Sequence, residues 1–235
     1  MHDIFAQTSD KRLFPAVCLP GSLSSRPNPA PDRQTSSMKR LLDEPNTLEQ
    51  LLMPETALEK QLLKTPEFRH GLIWGEPRFG HPEGKVGFHV KEVLENIDRI
   101  PNLSETMRAQ LRLIAFTHDT FKYAEDRSRP RDWSKHHGIL ARRFLEPYTT
   151  DTAVLDVIET HDDAYYVWLA SRHEEPWADK KIRSLENLFV RVGYCRQLYY
   201  LFFKCDTQTG DKTQAPLKWF EKTAWGIENV PIAEF

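Results

Sequence analysis

The sequence predicts an all-α fold, a compact multi-helix bundle, and three observations predict it. Beyond residue 41, apolar residues recur at spacings of three, four and seven, the signature of one helix face. No stretch sustains the alternation of a strand. Most gaps between the periodic runs are short, as in helix bundles. The chain has 235 residues, enough for one domain of about 150–200 residues plus a tail. Residues 1–40 form the expected tail and 41–235 the expected single helical domain.

The tail reading rests on composition. Five prolines fall between Pro15 and Pro31, interleaved with serines, and no hydrophobic period crosses them. The apolar stretch Leu13–Leu19 loosely mimics a signal peptide but is short and broken by Pro15. Met38 stands where ordered sequence begins and would serve as a start residue. From Thr47 to Lys64 a leucine period is divided by Pro54, so Pro54 and Glu55 are expected to open a second helix. Residues 65–84 hold three prolines and four glycines and read as a long loop. Helices are then expected over 85–99, 104–118, 131–146, 151–162, 164–171, 180–207 and 215–225. Ser104 suits an N-cap, with Glu105 in the first turn behind it. Trp219, Phe220 and Trp225 read as aromatics that fold back on the bundle.

Composition excludes several classes. Apolar residues make up 40% and charged residues 28%, as in ordinary globular proteins. No apolar run reaches the roughly 18 residues of a membrane span. A net charge of −2 from 32 basic and 34 acidic residues supplies no bulk field for a nucleic-acid backbone. Cys18, Cys195 and Cys205 are odd in number and widely spaced. They suit neither a disulfide framework nor a CxxC metal site, and point to a reducing, cytoplasmic compartment.

The chemistry lies on the apolar stripes. His89 sits between Val86, Val93 and Ile97. Leu111, Ile114 and Ala115 lead to His118, which Asp119 follows. His137 shares a face with Trp133, Leu140, Ala141 and Phe144. Val154, Val157 and Ile158 lead to His161, and the stripe of 180–207 ends at Asp206. Five expected helices thus each aim a histidine, an aspartate or both at the core. Singly, each has an ordinary explanation, such as a core histidine bonded to a backbone carbonyl. Jointly, six buried polar groups without partners would cost several kcal/mol each. A bound metal is the common remedy, and Mn, Fe, Co, Ni or Zn accept such ligands. Four histidines and two aspartates exceed the needs of one ion and suit two ions bridged by a carboxylate.

In this order, His89, His118-Asp119, His137, His161 and Asp206 resemble the HD-domain superfamily of metal-dependent phosphohydrolases. The resemblance covers about residues 70–210. His118-Asp119-Thr120-Phe121-Lys122 resembles the family's His-Asp-x-x-Lys segment, and Lys204-Cys205-Asp206 its terminal element. The lead-in His81-Pro82-Glu83-Gly84 is similar to the HD portion of tRNA nucleotidyltransferases, whose head domain has no counterpart here. The resemblance implies an HD-type fold. It also implies one or two divalent ions (Mn, Fe, Co, Ni, Mg or Zn) held by His89, His118, Asp119 and Asp206. His137 and His161 would complete a second site with Asp119 as bridge; in one-metal members such histidines contact phosphate instead. The implied reaction is hydrolysis of a small phosphorylated substrate, a mono- or diester, by metal-activated water, with Lys122 holding a phosphate oxygen. The same ligand order resembles the di-iron oxygenase branch, and a degenerate sensing module is the third alternative. Arg78, Lys85 and Arg142 read as surface charges and His81 as a turn residue. His136 is expected to point about 100° away from His137 on a shared helix and to be exposed. His2, His70 and His173 also read as surface residues. The aromatic cluster Tyr165, Tyr166, Trp168, Tyr199, Tyr200, Phe202 and Phe203 reads as mostly core by its spacing, with a base-stacking lining for a nucleotide as the alternative for part of it. The oligomeric state is not legible in the sequence.

Overall fold

A computed structural model describes residues 47–172 and 184–232. The tail, Met38, His2, His173, Cys18 and the first residues of the expected 180–207 helix lie outside the described residues. Helices are α1 (Thr47–Leu52), α2 (Ala57–Leu62), α3 (Pro66–Ile73), α4 (Val86–Asp98), α5 (Glu105–Thr117), α6 (His137–Leu145), α7 (Thr152–Thr160), α8 (Asp163–Arg172), α9 (Leu185–Val192), α10 (Arg196–Thr207) and α11 (Ala215–Thr223). There is no strand among the described residues, and the all-α expectation holds.

α5 runs through the middle of the bundle against α4, α7 and α10. Its buried face, Leu111, Ile114, Ala115 and Phe116, meets Val90, Val93 and Ile97 of α4 in one hydrophobic core with Leu198, Tyr199 and Phe202 of α10. Ser104 caps α5 as expected, accepting from the Met107 amide. Asp151 caps α7, accepting from the amides of Ala153 and Val154. Arg112 is buried within this core. Its guanidinium donates to Glu59, itself 1% exposed, and to the Met53 carbonyl. The pair fastens α2 to α5.

Four boundaries differ from expectation, each for a local reason. α2 opens at Ala57, not at Pro54 and Glu55, because Thr56 and Glu59 form a reciprocal capping box. The expected 65–84 loop contains α3, which starts with Pro66 at its first position, where the missing N–H costs nothing. The 131–146 helix begins only at His137. Before it lies a 3₁₀ turn, Trp133–Lys135, which leaves Trp133 48% exposed instead of on the core stripe. The 180–207 helix is broken at a 3₁₀ turn, Gly193–Cys195, where glycine weakens the helix. At the C-terminus Phe220 is buried, and Trp225 packs edge-on against Phe189, so these aromatics do fold back.

Two glycines set the distances that matter for the site. A Cβ on Gly138 would lie 2.9 Å from the Ile158 carbonyl oxygen and 2.8 Å from that of Glu159. Only glycine lets the start of α6 touch the end of α7, which brings His137 to His161. A Cβ on Gly71 would lie 1.8 Å from the Thr120 carbonyl oxygen, so α3 supports the backbone just after Asp119.

Candidate metal centre

The six expected residues meet at one end of the bundle. His89 lies in the first turn of α4 and His137 opens α6. His118 and His161 follow the last residues of α5 and α7, and Asp206 lies in the last turn of α10. Neighbouring helices that alternate in direction thus deliver their ends to one place.

Asp119 stands in the middle. Its Oδ2 lies 3.6 Å from His89 Nε2 and 3.5 Å from His118 Nε2. Its Oδ1 lies 3.4 Å from both His137 Nε2 and His161 Nε2. Asp206 Oδ1 is 2.9 Å from His89 Nε2 and 3.9 Å from His118 Nε2. Within the pairs, the Nε2 atoms of His89 and His118 are 3.2 Å apart, and those of His137 and His161 are 3.1 Å apart.

The far ring nitrogens of three of the four histidines are engaged, while His89 Nδ1 is buried without a hydrogen bond, 3.5 Å from Glu83 Oε1. His118 Nδ1 donates to the Ala115 carbonyl at 3.0 Å and His161 Nδ1 to the Ile158 carbonyl at 2.7 Å. His137 Nδ1 contacts Glu125 Oε1 at 2.8 Å. In the neutral rings these contacts leave the Nε2 lone pairs facing the centre. Donors about 2.1 Å from one ion lie about 3.0–3.4 Å apart on neighbouring corners of an octahedron or tetrahedron. The observed separations fall in or near that range. Asp119 Oδ1 is buried with no hydrogen bond, a costly position for a carboxylate oxygen unless a cation faces it. These residues fit a divalent ion, and the groups His89–His118–Asp119 and Asp119–His137–His161 could each hold one.

Charge is tightly balanced. Burial drives the His118 pKa down to about 3, against the pull of Asp119. At His161 burial acts the same way, but Asp162 and Asp119 outweigh it and raise the pKa to about 9. Burial opposes ionisation of Asp119 and Asp206, yet both stay well below the usual carboxylate range. Lys122 and His118 hold Asp119 there, and Lys212 and His89 hold Asp206. Burial likewise opposes ionisation of Glu125, but its hydrogen bond from His137 and the charges of His137 and Arg131 bring its pKa to about 2.

A cleft of about 370 Å³ opens over Asp119, His161, Asp162 and Asp206. Lys122, Lys212 and Arg78 line it. Lys122 belongs to a 3₁₀ turn, Lys122–Ala124, rather than to a continuing α5, and its ammonium donates to Asp119 Oδ2. Lys212 donates to Asp206 Oδ1 at 2.9 Å. Arg78 is exposed, as expected. Lys85 is not a free surface charge, since it donates to the Gly75 carbonyl and to Glu76. Arg142 is held by Asp156, Glu159 and Glu146.

One histidine differs from expectation, and another does more than expected. His136 is buried, because α6 starts after it: as N-cap its Nδ1 accepts from the Gly138 amide. His81 does belong to a turn, but it also contacts Glu83 Oε1 at 2.9 Å and packs edge-on against His89. The sequence reading passed over Asp162, Glu83 and Glu125. Asp162 Oδ2 lies 3.4 Å from both His136 Nε2 and His137 Nε2. Glu83 Oε1 lies 3.5 Å from His89 Nδ1. For Asp162 a signal existed: Thr160-His161-Asp162 repeats Thr117-His118-Asp119.

Among the described residues, no helix is long and apolar enough to cross a membrane. Comparison with protein-family models, curated proteins and solved structures finds no match.

Proposed function

We propose that the chain is a metal-dependent phosphohydrolase of HD-domain type, cleaving a small phosphate mono- or diester. The observation that carries this reading is Asp119. Each of its oxygens faces a separate pair of histidines, on the floor of a cleft that three cations line. His89, His118, Asp119 and Asp206 would hold one ion, and Asp119, His137 and His161 are placed for another. When bound, a divalent ion supplies Lewis acidity, which acidifies water and draws charge from a phosphoryl oxygen.

The remaining work falls to the chain's own groups. Lys122 is 17% exposed and held by Asp119, so its ammonium faces the cleft at a fixed position. Burial would lower its pKa, but Asp119 and Asp162 keep it above that of a free lysine, so it stays cationic at neutral pH. Lys212 lines the cleft from the other side, bonded to Asp206, and Arg78 adds a bidentate donor from the exposed wall. Three cations suit the spread negative charge of a phosphoryl group in transfer. They give no advantage with an uncharged polyol, which favours the hydrolase over the oxygenase.

The test is metal analysis of the purified protein with a phosphatase and phosphodiesterase screen. Chelation should abolish phosphate release, and Mn²⁺, Co²⁺ or Mg²⁺ should restore it. Asp119→Ala should lose both metal and hydrolysis. Retention of both in that variant refutes the assignment.

A further inference from the structure

The bundle presents the same short motif twice. Thr117-His118-Asp119 ends α5 and Thr160-His161-Asp162 ends α7. In both, the threonine hydroxyl donates to the carbonyl four residues back, Leu113 or Asp156, at 2.9 and 2.6 Å. In both, histidine Nδ1 donates to the carbonyl three residues back. Each motif therefore turns its Nε2 and the following carboxylate toward the same centre. Asp119 serves that centre from the first motif. Asp162 has so far had only an electrostatic role, on His161 and Lys122.

We propose that Asp162 is the fourth protein ligand of a second divalent ion, beside Asp119, His137 and His161, and that His136 positions it. The inference rests on the metal reading above and deepens it: the centre holds two ions, each with four protein ligands, sharing Asp119.

Five separations carry the proposal. His137 Nε2 and His161 Nε2 are 3.1 Å apart, and Asp119 Oδ1 is 3.4 Å from each. Asp162 extends this triangle, with Oδ2 3.4 Å from His137 Nε2 and Oδ1 3.8 Å from His161 Nε2. The triangle's own edges, 3.1–3.4 Å, suit donors about 2.1 Å from one ion, and Asp162 borders it with a different oxygen toward each histidine. Independently, Asp119 Oδ1 points into this triangle from a side chain only 4% exposed and has no hydrogen-bond partner.

His136 is the neighbour that cannot be a ligand as it stands. Its Nδ1 accepts the Gly138 amide proton, so the neutral ring carries its proton on Nε2, 3.4 Å from Asp162 Oδ2. That N–H is buried and makes no hydrogen bond, with Asp162 Oδ2 its nearest carboxylate oxygen and Glu125 Oε1 next at 3.7 Å, so it is the outer group placed to orient Asp162 once a cation draws that carboxylate in.

The experiment is equilibrium dialysis of the chelator-stripped full chain against Mn²⁺, with metal per chain read by mass spectrometry. Wild type should take up two ions. Asp162→Ala and the isosteric Asp162→Asn should take up one, with the second at least about 100-fold weaker and the first unchanged. His136→Asn keeps an N-cap side chain and should weaken only the second ion, by about 10-fold. The proposal is overturned if wild type saturates at one ion, or if Asp162→Asn holds two at wild-type affinity; the metal reading survives either result. No uptake by wild type overturns both.

Discussion

Gly71→Ala tests whether the bundle holds the metal centre as tightly as its geometry implies. In an ordinary helix interior this change would stabilise by up to about 1 kcal/mol, because alanine loses less backbone freedom. Here the new methyl would sit 1.8 Å from the Thr120 carbonyl oxygen and 2.7 Å from its carbon. Both are backbone atoms and cannot swing aside. Relief requires α3 and the 118–121 turn to separate by more than about 1 Å, and such overpacking costs about 1–3 kcal/mol. The turn is braced: Thr120 N and Oγ1 both donate to the Thr117 carbonyl, so its displacement carries Asp119 along. A ligand set must be held within about 0.5 Å, so divalent-metal affinity should fall by at least about 10-fold. Urea denaturation of the metal-free chain, followed by circular dichroism, reads the stability, and titration with Mn²⁺ reads the affinity. A variant as stable as wild type or more so, with unchanged affinity, would refute the close approach and its coupling to Asp119.

Other expectations follow from the same structure. Glu59→Ala removes the buried partner of Arg112 and leaves only the more exposed Glu55 carboxylate, 3.1 Å from its guanidinium, and should cost up to about 3–5 kcal/mol in urea denaturation; a loss under about 1 kcal/mol would mean that Glu55 or water satisfies the guanidinium. Mn²⁺ at about 100 times its dissociation constant should stabilise the native state by about 2.7 kcal/mol. In a domain of this size that raises the melting temperature by about 5–10 °C, and identical melting with chelator and with Mn²⁺ would argue against a native-state metal site. Glu55, bonded to Arg108, has its pKa lowered in the folded chain from 4.5. Its contribution is therefore present above pH 4.5 and lost as pH falls through the lower folded value. Glu55→Gln should thus reduce stability at pH 6–7, with the difference from wild type narrowing as pH falls below 4.5; a difference that stays constant as pH falls would assign the effect to something other than charge.

The helices were legible where the apolar period was long. α4, α5 and α7 fall within two residues of expectation because their stripes and caps agree. α3 was not, because the glycine and proline count of 65–84 outweighed the start signal of Thr65-Pro66. The long 180–207 run hid its break for the opposite reason: Leu188, Phe189, Val192, Tyr199 and Phe202 keep a helical phase across Gly193. The resulting turn is a change of hydrogen bonding, not of which residues are buried.

The centre was legible in the same measure. His89, His118, His137 and His161 lie on or beside stripes, so burial itself exposed them as residues in need of a partner. His136 escaped because the 100° argument holds only inside a helix. One residue before α6 the backbone is extended, and adjacent rings can face the same way, as His136 and His137 do with centroids 4.2 Å apart. Asp162 escaped for a related reason. Helical phase ends at His161, and the turn after it decides where the next carboxylate points. Glu125 and Glu83 lie in connections that have no period to violate. A stripe reports which side chains a helix buries, whereas the groups that orient a ligand come from the backbone just beyond its ends. In this fold that is where the ligands gather, so the pattern that reveals His118 and His161 is silent about their immediate neighbours, and the repeated Thr-His-Asp string is what links the two helix ends.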